Sequence, residues 1–117
     1  MNNKINKSID VNYLLERLGG DKDLASQIFE VYVQQVPDNV KNMLDYLEGE
    51  NIEKLKKEAH VLKGSSSNIG ADKISAYAKK IENEASTDNI ADIKKDINDL
   101  QEEFENLKEY LKSNDFI

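Results

Sequence analysis

The strongest constraint on the fold is the spacing of apolar residues, which recur at intervals of three and four along nearly the whole chain. Such spacing places residues on one face of an α-helix, whereas a half-buried strand alternates apolar and polar residues. No segment of any length shows that alternation. Long amphipathic helices with short connections pack as antiparallel neighbours. The sequence therefore predicts an all-α fold, an antiparallel up-down four-helix bundle with a short additional N-terminal helix.

Capping residues and glycines predict where the first two helices begin and end. Asp10 is expected to cap the short first helix, which ends at Gly19-Gly20, and Asp21 to cap a second helix that ends at Gly49. Pro37 interrupts the second helix, so a kink or a break is expected, and the apolar spacing that resumes beyond it favours the kink. The predicted apolar face comprises Leu24, Ile28, Val31, Val36, Val40, Met43, Leu44 and Leu47.

Three further helices are predicted in the second half of the chain. Asn51 opens the third, which Gly70 closes, and the fourth runs over about residues 72–85. Asn89 is expected to cap the fifth helix, which would then begin at Ile90. The apolar stripe of that helix comprises Ile90, Ile93, Ile97, Leu100, Phe104, Leu107 and Leu111.

Length and composition favour one domain and exclude several functions. The 117 residues suit a single domain, placed at 9–113 between a flexible N-terminal tail, 1–8, and a C-terminal end, 114–117. The net charge of −7 argues against binding to nucleic acid, and no apolar run is long enough for membrane insertion. The absence of cysteine is compatible with a reducing cytoplasm, the expected compartment. A four-helix bundle buries its stripes without a second copy, so we expect a monomer.

The single histidine, His60, falls on the solvent side of the third helix. At about 100° per residue it lies roughly 115° from the centre of the apolar stripe, so it should project from the bundle. Gly64 follows one turn later on nearly the same bearing, Ser67 shares this strip, and Lys63 is a helical neighbour nearer the core.

Two interpretations of this segment follow from the residues alone. A glycine inside a helix costs about 1 kcal/mol relative to alanine, which suggests that Gly64 leaves space for another protein to approach the imidazole. Alternatively, residues 64–67 (GSSS) form a loop that ends the helix, and His60 is an ordinary surface histidine. Lys63, with Lys56 and Lys57, would then be part of a solvated face.

Residues 59–71, AHVLKGSSSNIGA, resemble the signature of the histidine-containing phosphotransfer family. That signature has a histidine, an apolar residue two positions later, Lys-Gly, small residues and an apolar-Gly pair. The segment 15–21, LERLGGD, resembles the opening of the family, and 29–40, with Pro37, resembles its long second helix. Ile81-Glu82 matches an apolar-Glu pair on the helix after the histidine. The resemblance covers about residues 9–112.

The resemblance implies a histidine phosphotransfer protein of a two-component phosphorelay, which carries phosphate without being an autonomous enzyme. His60 would be phosphorylated on Nε2, Lys63 would help to neutralise the phosphoryl oxygens, and Glu82 would accept a hydrogen bond from Nδ1. Gly64 would keep the docking surface open, with Val61, Ser67 and Ile69 contributing to it. The implied partners are response-regulator receiver domains and a hybrid sensor histidine kinase. No cofactor of its own is expected, and the Mg²⁺ needed for transfer would reside on the receiver.

Two other classes of function are alternatives to this one. A helical docking or adaptor bundle whose histidine is never phosphorylated is the alternative. An enzyme with its own site has little support, because the chain lacks a nucleotide-binding glycine loop and a serine nucleophile elbow. With one histidine and no cysteine, a protein-built zinc site is also disfavoured, so no metal site is expected.

Overall fold

A computed structural model describes residues 8–117 of the chain, and over this range it is built from helices. The α-helices are α1 (Val11–Arg17), α2 (Lys22–Glu48), α3 (Ile52–Asn68), α4 (Asp72–Ser86) and α5 (Ile93–Ser113), with a 3₁₀ turn at Ile90–Asp92. Helices α2 to α5 are joined by short connections, and each packs against two of the others in the cyclic order α2–α3–α4–α5. The short α1 packs against α2. The predicted four-helix bundle with an additional N-terminal helix is confirmed.

Three of the predicted capping residues begin their helices as expected. The side chains of Asp10, Asp21 and Asn51 each accept a hydrogen bond from the backbone N–H three residues later, at 3.3, 3.0 and 3.3 Å. Each bond satisfies one of the N–H groups that a helix leaves without an internal partner at its start.

The predicted start of the last helix is wrong. The side chain of Asn89 makes no capping bond, and α5 begins at Ile93 after the 3₁₀ turn. The reason lies at the end of α4, where Asp88 adopts a positive φ of 63° and the Asn89 N–H donates to the carbonyl of Glu84 at 2.8 Å. Asn89 thus completes the C-terminal cap of α4 instead of opening the next helix.

Helix α2 is continuous across Pro37, which excludes the break that the sequence allowed. The face it turns to the core differs from the predicted one in its first half. Phe29, Tyr32 and Val36 are buried there, whereas Leu24 is 40% and Val31 64% exposed. The sequence carries two apolar stripes in this half of α2, and the aromatic one is inside.

The core runs the length of the bundle between the four long helices. It contains most of the predicted stripes of α3, α4 and α5, for which Leu62, Ile81 and Leu107 are representative fully buried members. The predicted stripe residues Ile52, Tyr77 and Ile90 are only partly buried. In the described part of the chain, no helix combines the length and the apolar character needed to cross a membrane.

The two ends of the described chain pack onto the bundle. Most of the predicted flexible tail, residues 1–7, lies outside the described residues, but Ser8 is buried and its hydroxyl donates to the carboxylate of Glu103 on α5. At the other end, the ring of Phe116 meets that of Phe29 edge to face, with 5.4 Å between centroids.

Gly70 joins α1 to the turn between α3 and α4. Its φ of +85° favours glycine, and a Cβ at this position would lie 2.6 Å from the carbonyl oxygen of Asp10. In the observed structure the Asp10 N–H donates to the Gly70 carbonyl at 2.9 Å, and Arg17 donates to the carbonyl of Asn68 at 3.1 Å. This end of the bundle therefore holds α3 in place two turns from its histidine.

Candidate functional site

His60 lies near the middle of α3 and projects into solvent, as predicted. Its side chain is 64% exposed. Leu55, Ala59 and Leu62 on the same helix are fully buried and define the face of α3 that packs on the core. His60 lies on the other side of the helix and therefore faces solvent. A rigid helix thus presents an accessible imidazole.

Glu82, on the neighbouring helix α4, contacts both His60 and Lys63. One carboxylate oxygen lies 2.9 Å from His60 Nδ1, and the other lies 3.1 Å from Lys63 Nζ. Side chains lean towards the N-terminus of their own helix, so on two antiparallel helices they lean in opposite directions along the axis, and side chains that start at different levels can meet. The predicted bond between Glu82 and Nδ1 is present in the structure.

The electrostatics of this triad fix the proton on the imidazole. Burial alone would raise the pKa of Glu82, but the hydrogen bonds and positive charges of Lys63 and His60 outweigh it and lower the pKa below its usual value. Glu82 is therefore an ionised carboxylate at neutral pH, and an ionised carboxylate can only accept hydrogen bonds. Nδ1 must then carry the proton of a neutral imidazole, which leaves the lone pair on Nε2.

Gly64 lies inside α3, so the interpretation of residues 64–67 as a loop is wrong. Gly64 is exposed, and a Cβ built on it would meet nothing within 4 Å. Neither packing nor an unusual backbone angle explains a glycine here. What the glycine does produce is an open strip of surface one helical turn from His60.

The three residues predicted to support docking lie at different depths. Val61 is 56% exposed and Ser67 is exposed, both beside the His60–Gly64 strip. Ile69 is only 5% exposed, so it is not a projecting contact residue. It follows the last turn of α3, where the chain bends inward to the turn at Gly70.

A groove between α2 and α3 is a feature that the sequence reasoning missed. Its volume is about 450 Å³, and its lining includes Leu24, Ile28 and Val31 from α2, Ser65 and Asn68 from α3, and Ile69 directly after α3. Ile69 thus forms part of the groove wall although it is only 5% exposed. The signal in the sequence is the apolar set Leu24, Ile28 and Val31. The prediction places these residues in the core, whereas Phe29 and Tyr32 occupy it in this half of α2.

Over residues 8–117, no three side chains of the metal-ligating acidic, histidine or cysteine types converge into a possible metal site. The candidate site thus consists of His60, Glu82, Lys63 and the open surface at Gly64.

The fold and this site define a class of protein: a helical bundle that presents one exposed histidine, paired through Nδ1 with a carboxylate, on an open surface. A family model described as the Hpt domain matches residues 27–110, which cover most of the bundle and all four residues of the site. The chain belongs to this family of histidine phosphotransfer domains.

Two known proteins, from two different organisms, are similar in sequence to this chain. The phosphorelay intermediate protein YPD1 of Candida albicans is 35% identical over 63 residues, covering 54% of this chain and 34% of that protein. The phosphorelay intermediate protein rdeA of Dictyostelium discoideum is 27% identical over 101 residues, covering 80% of this chain and 40% of that protein. The matches thus span well under half the length of either relative.

A solved structure shares the fold over almost the full length of both chains. The crystal structure of histidine-containing phosphotransfer protein B (HptB) from Pseudomonas aeruginosa PAO1 matches with a TM-score of 0.84 and covers 92% of this chain and 93% of its own. The identity is 21%, so this similarity supports the bundle architecture.

Proposed function

We propose that this protein is a phosphocarrier of a two-component phosphorelay, which accepts a phosphoryl group on His60 and passes it to an aspartate of a receiver domain. The observation that carries the proposal is the pairing of His60 Nδ1 with Glu82, 2.9 Å apart, on a side chain that is 64% exposed. This arrangement leaves the Nε2 lone pair facing solvent, where a partner can reach it.

The proposed transfer moves one phosphoryl group between nitrogen and oxygen. In the accepting direction, the Nε2 lone pair forms the N–P bond while the P–O bond of an aspartyl phosphate breaks, and the electron pair of that bond remains on the aspartate as a carboxylate. A Mg²⁺ ion on the receiver is proposed to stabilise the charge of the transferring group. The reverse order of bonds passes the group onward.

Two side chains of this protein stabilise the phosphorylated ring. When Nε2 carries the phosphoryl group, Nδ1 keeps its proton and its bond to Glu82, which stabilises positive charge on the ring. Lys63 lies one turn from His60, and its side chain is 31% exposed, so its ammonium can reach phosphoryl oxygens as well as Glu82. The remaining catalytic groups are proposed to come from the partner, so that this protein acts as a carrier.

The partner is proposed to dock across α3 onto the groove between α2 and α3. Val61 and the groove residue Ser65 lie on the α2 side of the His60–Gly64 strip, while Lys63 and Glu82 lie on the α4 side. The docking surface is thus continuous with the phosphorylation site. We propose that receiver domains and the receiver of a hybrid sensor histidine kinase use it in the cytoplasm, with the protein acting as a monomer.

The test is incubation of the protein with a receiver domain that carries ³²P-labelled aspartyl phosphate. We expect label on this protein that is labile to acid, and none on His60→Gln. Because His60 is exposed, His60→Gln should keep the free energy of unfolding within about 0.5 kcal/mol of the unsubstituted protein, as measured in urea. Receivers that bind the protein but never label it would contradict the proposal and favour a docking bundle.

A further inference from the structure

Ser75 forms a hydrogen bond that ties α4 to the backbone of α3 beside the site. Its hydroxyl donates to the carbonyl of Lys63 at 3.0 Å, and the residue is half-buried. Within residues 8–117, the side-chain hydrogen bonds that join α3 and α4 are this one and the two made by Glu82. The two bonds of Glu82 belong to the site, whereas the bond of Ser75 lies outside it. All three bonds involve residues 60–63 of α3.

Ser75 and Glu82 lie on the same face of α4. They are seven residues apart, which is about two turns or about 10 Å along the helix axis. Helix α4 runs antiparallel to α3, so the distance from Ser75 to Glu82 along α4 translates directly into the level at which Glu82 meets α3. Anchoring Ser75 to Lys63 therefore sets where the Glu82 carboxylate falls relative to His60.

The buried side chains of α3 and α4 are apolar over most of their length, for example Leu62 and Ile81. Apolar contacts are not directional, so they specify the relative level of two helices less sharply than a hydrogen bond does. The turn at the end of α3, where the Ala71 N–H donates to the Ser66 carbonyl at 2.9 Å, fixes the two helices only at their far end. The hydrogen bond of Ser75 fixes the relative level of α3 and α4 one turn closer to the site.

We propose that Ser75 is a positioning residue of the phosphotransfer site, which holds α4 in the register that places the Glu82 carboxylate against His60 Nδ1. Its hydroxyl does not contact the imidazole, so it acts through Glu82. The effect of Ser75 on the rate of transfer rests on the proposed function, whereas the effect of Ser75 on the His60 tautomer does not.

The substitution Ser75→Ala removes the bond with little threat to the fold. Alanine is a good helix former, and the Lys63 carbonyl keeps its acceptor role inside α3 because residue 67 supplies a backbone N–H four positions later. Ser75→Thr retains a hydroxyl and serves as the rescue variant. Ser86→Ala is the matched control, since the Ser86 hydroxyl also donates to a backbone carbonyl, that of Glu82, but within α4 itself.

The first measurement is made on the unphosphorylated protein by NMR. The chain has one histidine, so the ¹⁵N signals of the imidazole belong to His60 alone. In Ser75→Ala we expect a smaller fraction of the tautomer with the proton on Nδ1 and a higher pKa of the Glu82 carboxyl, followed by ¹³C shifts. Ser75→Thr and Ser86→Ala should resemble the unsubstituted protein. Imidazole and carboxyl signals unchanged in Ser75→Ala would overturn the proposal.

The second measurement is the rate of transfer from a labelled receiver. A bond of this kind contributes a factor of about three to ten, so Ser75→Ala should slow transfer by about that factor while Ser86→Ala does not. Equal slowing by both serine substitutions would overturn the positioning role. If the unsubstituted protein takes up no label, the proposed function fails, and the NMR comparison still decides the role of Ser75.

Discussion

At the scale of single residues, one carboxylate organises the candidate site. Glu82 uses its two oxygens on two different donors, the Nδ1 of His60 and the Nζ of Lys63. The first contact selects the tautomer, and the second keeps a positive charge next to the ring. Because a single side chain does both, its charge and its two acceptor positions are needed at the same time.

Glu82→Gln tests whether both contacts of this carboxylate are needed. Glutamine has one acceptor oxygen, so it can serve the imidazole or the ammonium but not both. We expect transfer from a labelled receiver to slow by about tenfold, the loss of one charge-assisted hydrogen bond. Glu102→Gln, which removes the same charge from an exposed position on α5, is the control. Similar rates for both variants would show that net charge, and not the carboxylate at His60, governs the transfer.

Gly64→Gln should have opposite effects on stability and on transfer. No atom lies within 4 Å of a Cβ at this position, and glutamine is a better helix former, so the free energy of unfolding in urea should rise by about 0.5–1 kcal/mol. The new side chain would stand beside His60 and obstruct the partner, so transfer should slow. A variant that is more stable and transfers at the original rate would refute the role assigned to the open surface.

At the scale of the helices, α2 combines a structural role in the core with the proposed docking role beside the groove. Its inner stripe, which includes Phe29 and Val36, is fully buried, while Leu24 and Val31 on another bearing remain exposed beside the groove. Halfway along, Pro37 lies within the helix and is itself exposed. The helix thus tolerates the loss of one backbone hydrogen bond, because proline has no N–H to donate to the carbonyl four residues earlier.

Pro37→Ala should therefore stabilise the protein. Alanine restores the missing donor in an exposed position, and we expect the free energy of unfolding to rise by about 1–3 kcal/mol, with part of the gain offset by a freer unfolded chain. Urea denaturation followed by circular dichroism measures it. A less stable variant would mean that a bend at Pro37 is required for the two halves of α2 to pack.

Local sequence patterns predict those features of this fold that depend on residues close together in the chain. Capping at Asp10, Asp21 and Asn51 was predictable because a cap is a contact within four residues. The position of Asn89 was not, since its N–H is taken by the end of the preceding helix. Helical spacing predicted an exposed His60. It did not identify the groove, because a second apolar stripe resembles a core stripe until the core is known to be full.

At the scale of the whole molecule, two buried acids between α4 and α5 couple folding to pH. Glu84 is 8% exposed and Asp96 is fully buried, and within the described residues Glu84 Oε1 and Asp96 Oδ2 have no hydrogen-bond donor. Lys80 Nζ lies 3.3 Å from Asp96 Oδ1, and Asp92 adds further negative charge nearby. Two facing carboxyl groups in this setting are stable when one of them keeps a proton.

Burial, reinforced by the hydrogen bond that a protonated Glu84 would donate to Asp96 and by the negative charge of Asp96, raises the pKa of Glu84 from 4.5 to about 7. Between these values the folded protein retains a proton that the unfolded chain releases. The folded state then binds more protons, so its stability falls as pH rises through this interval. At lower pH the sign reverses, because the lowered pKa of Glu82 makes stability fall as pH decreases.

We therefore predict that the free energy of unfolding is greatest near pH 4.5 and falls by about 1–3 kcal/mol by pH 8. Urea denaturation at a series of pH values measures the curve. General repulsion in a chain of net charge −7 also weakens the folded state as pH rises, so the size of the fall alone does not identify its source. Glu84→Gln resolves the two causes, because its amide can donate to Asp96 without titrating. In Glu84→Gln the free energy of unfolding should fall much less above pH 5. In Glu109→Gln, which changes an exposed position of α5, most of that fall should remain. If the free energy of unfolding falls equally steeply with pH in the two variants, overall charge causes the pH dependence. The Glu84–Asp96 pair would then not hold an extra proton in the folded state.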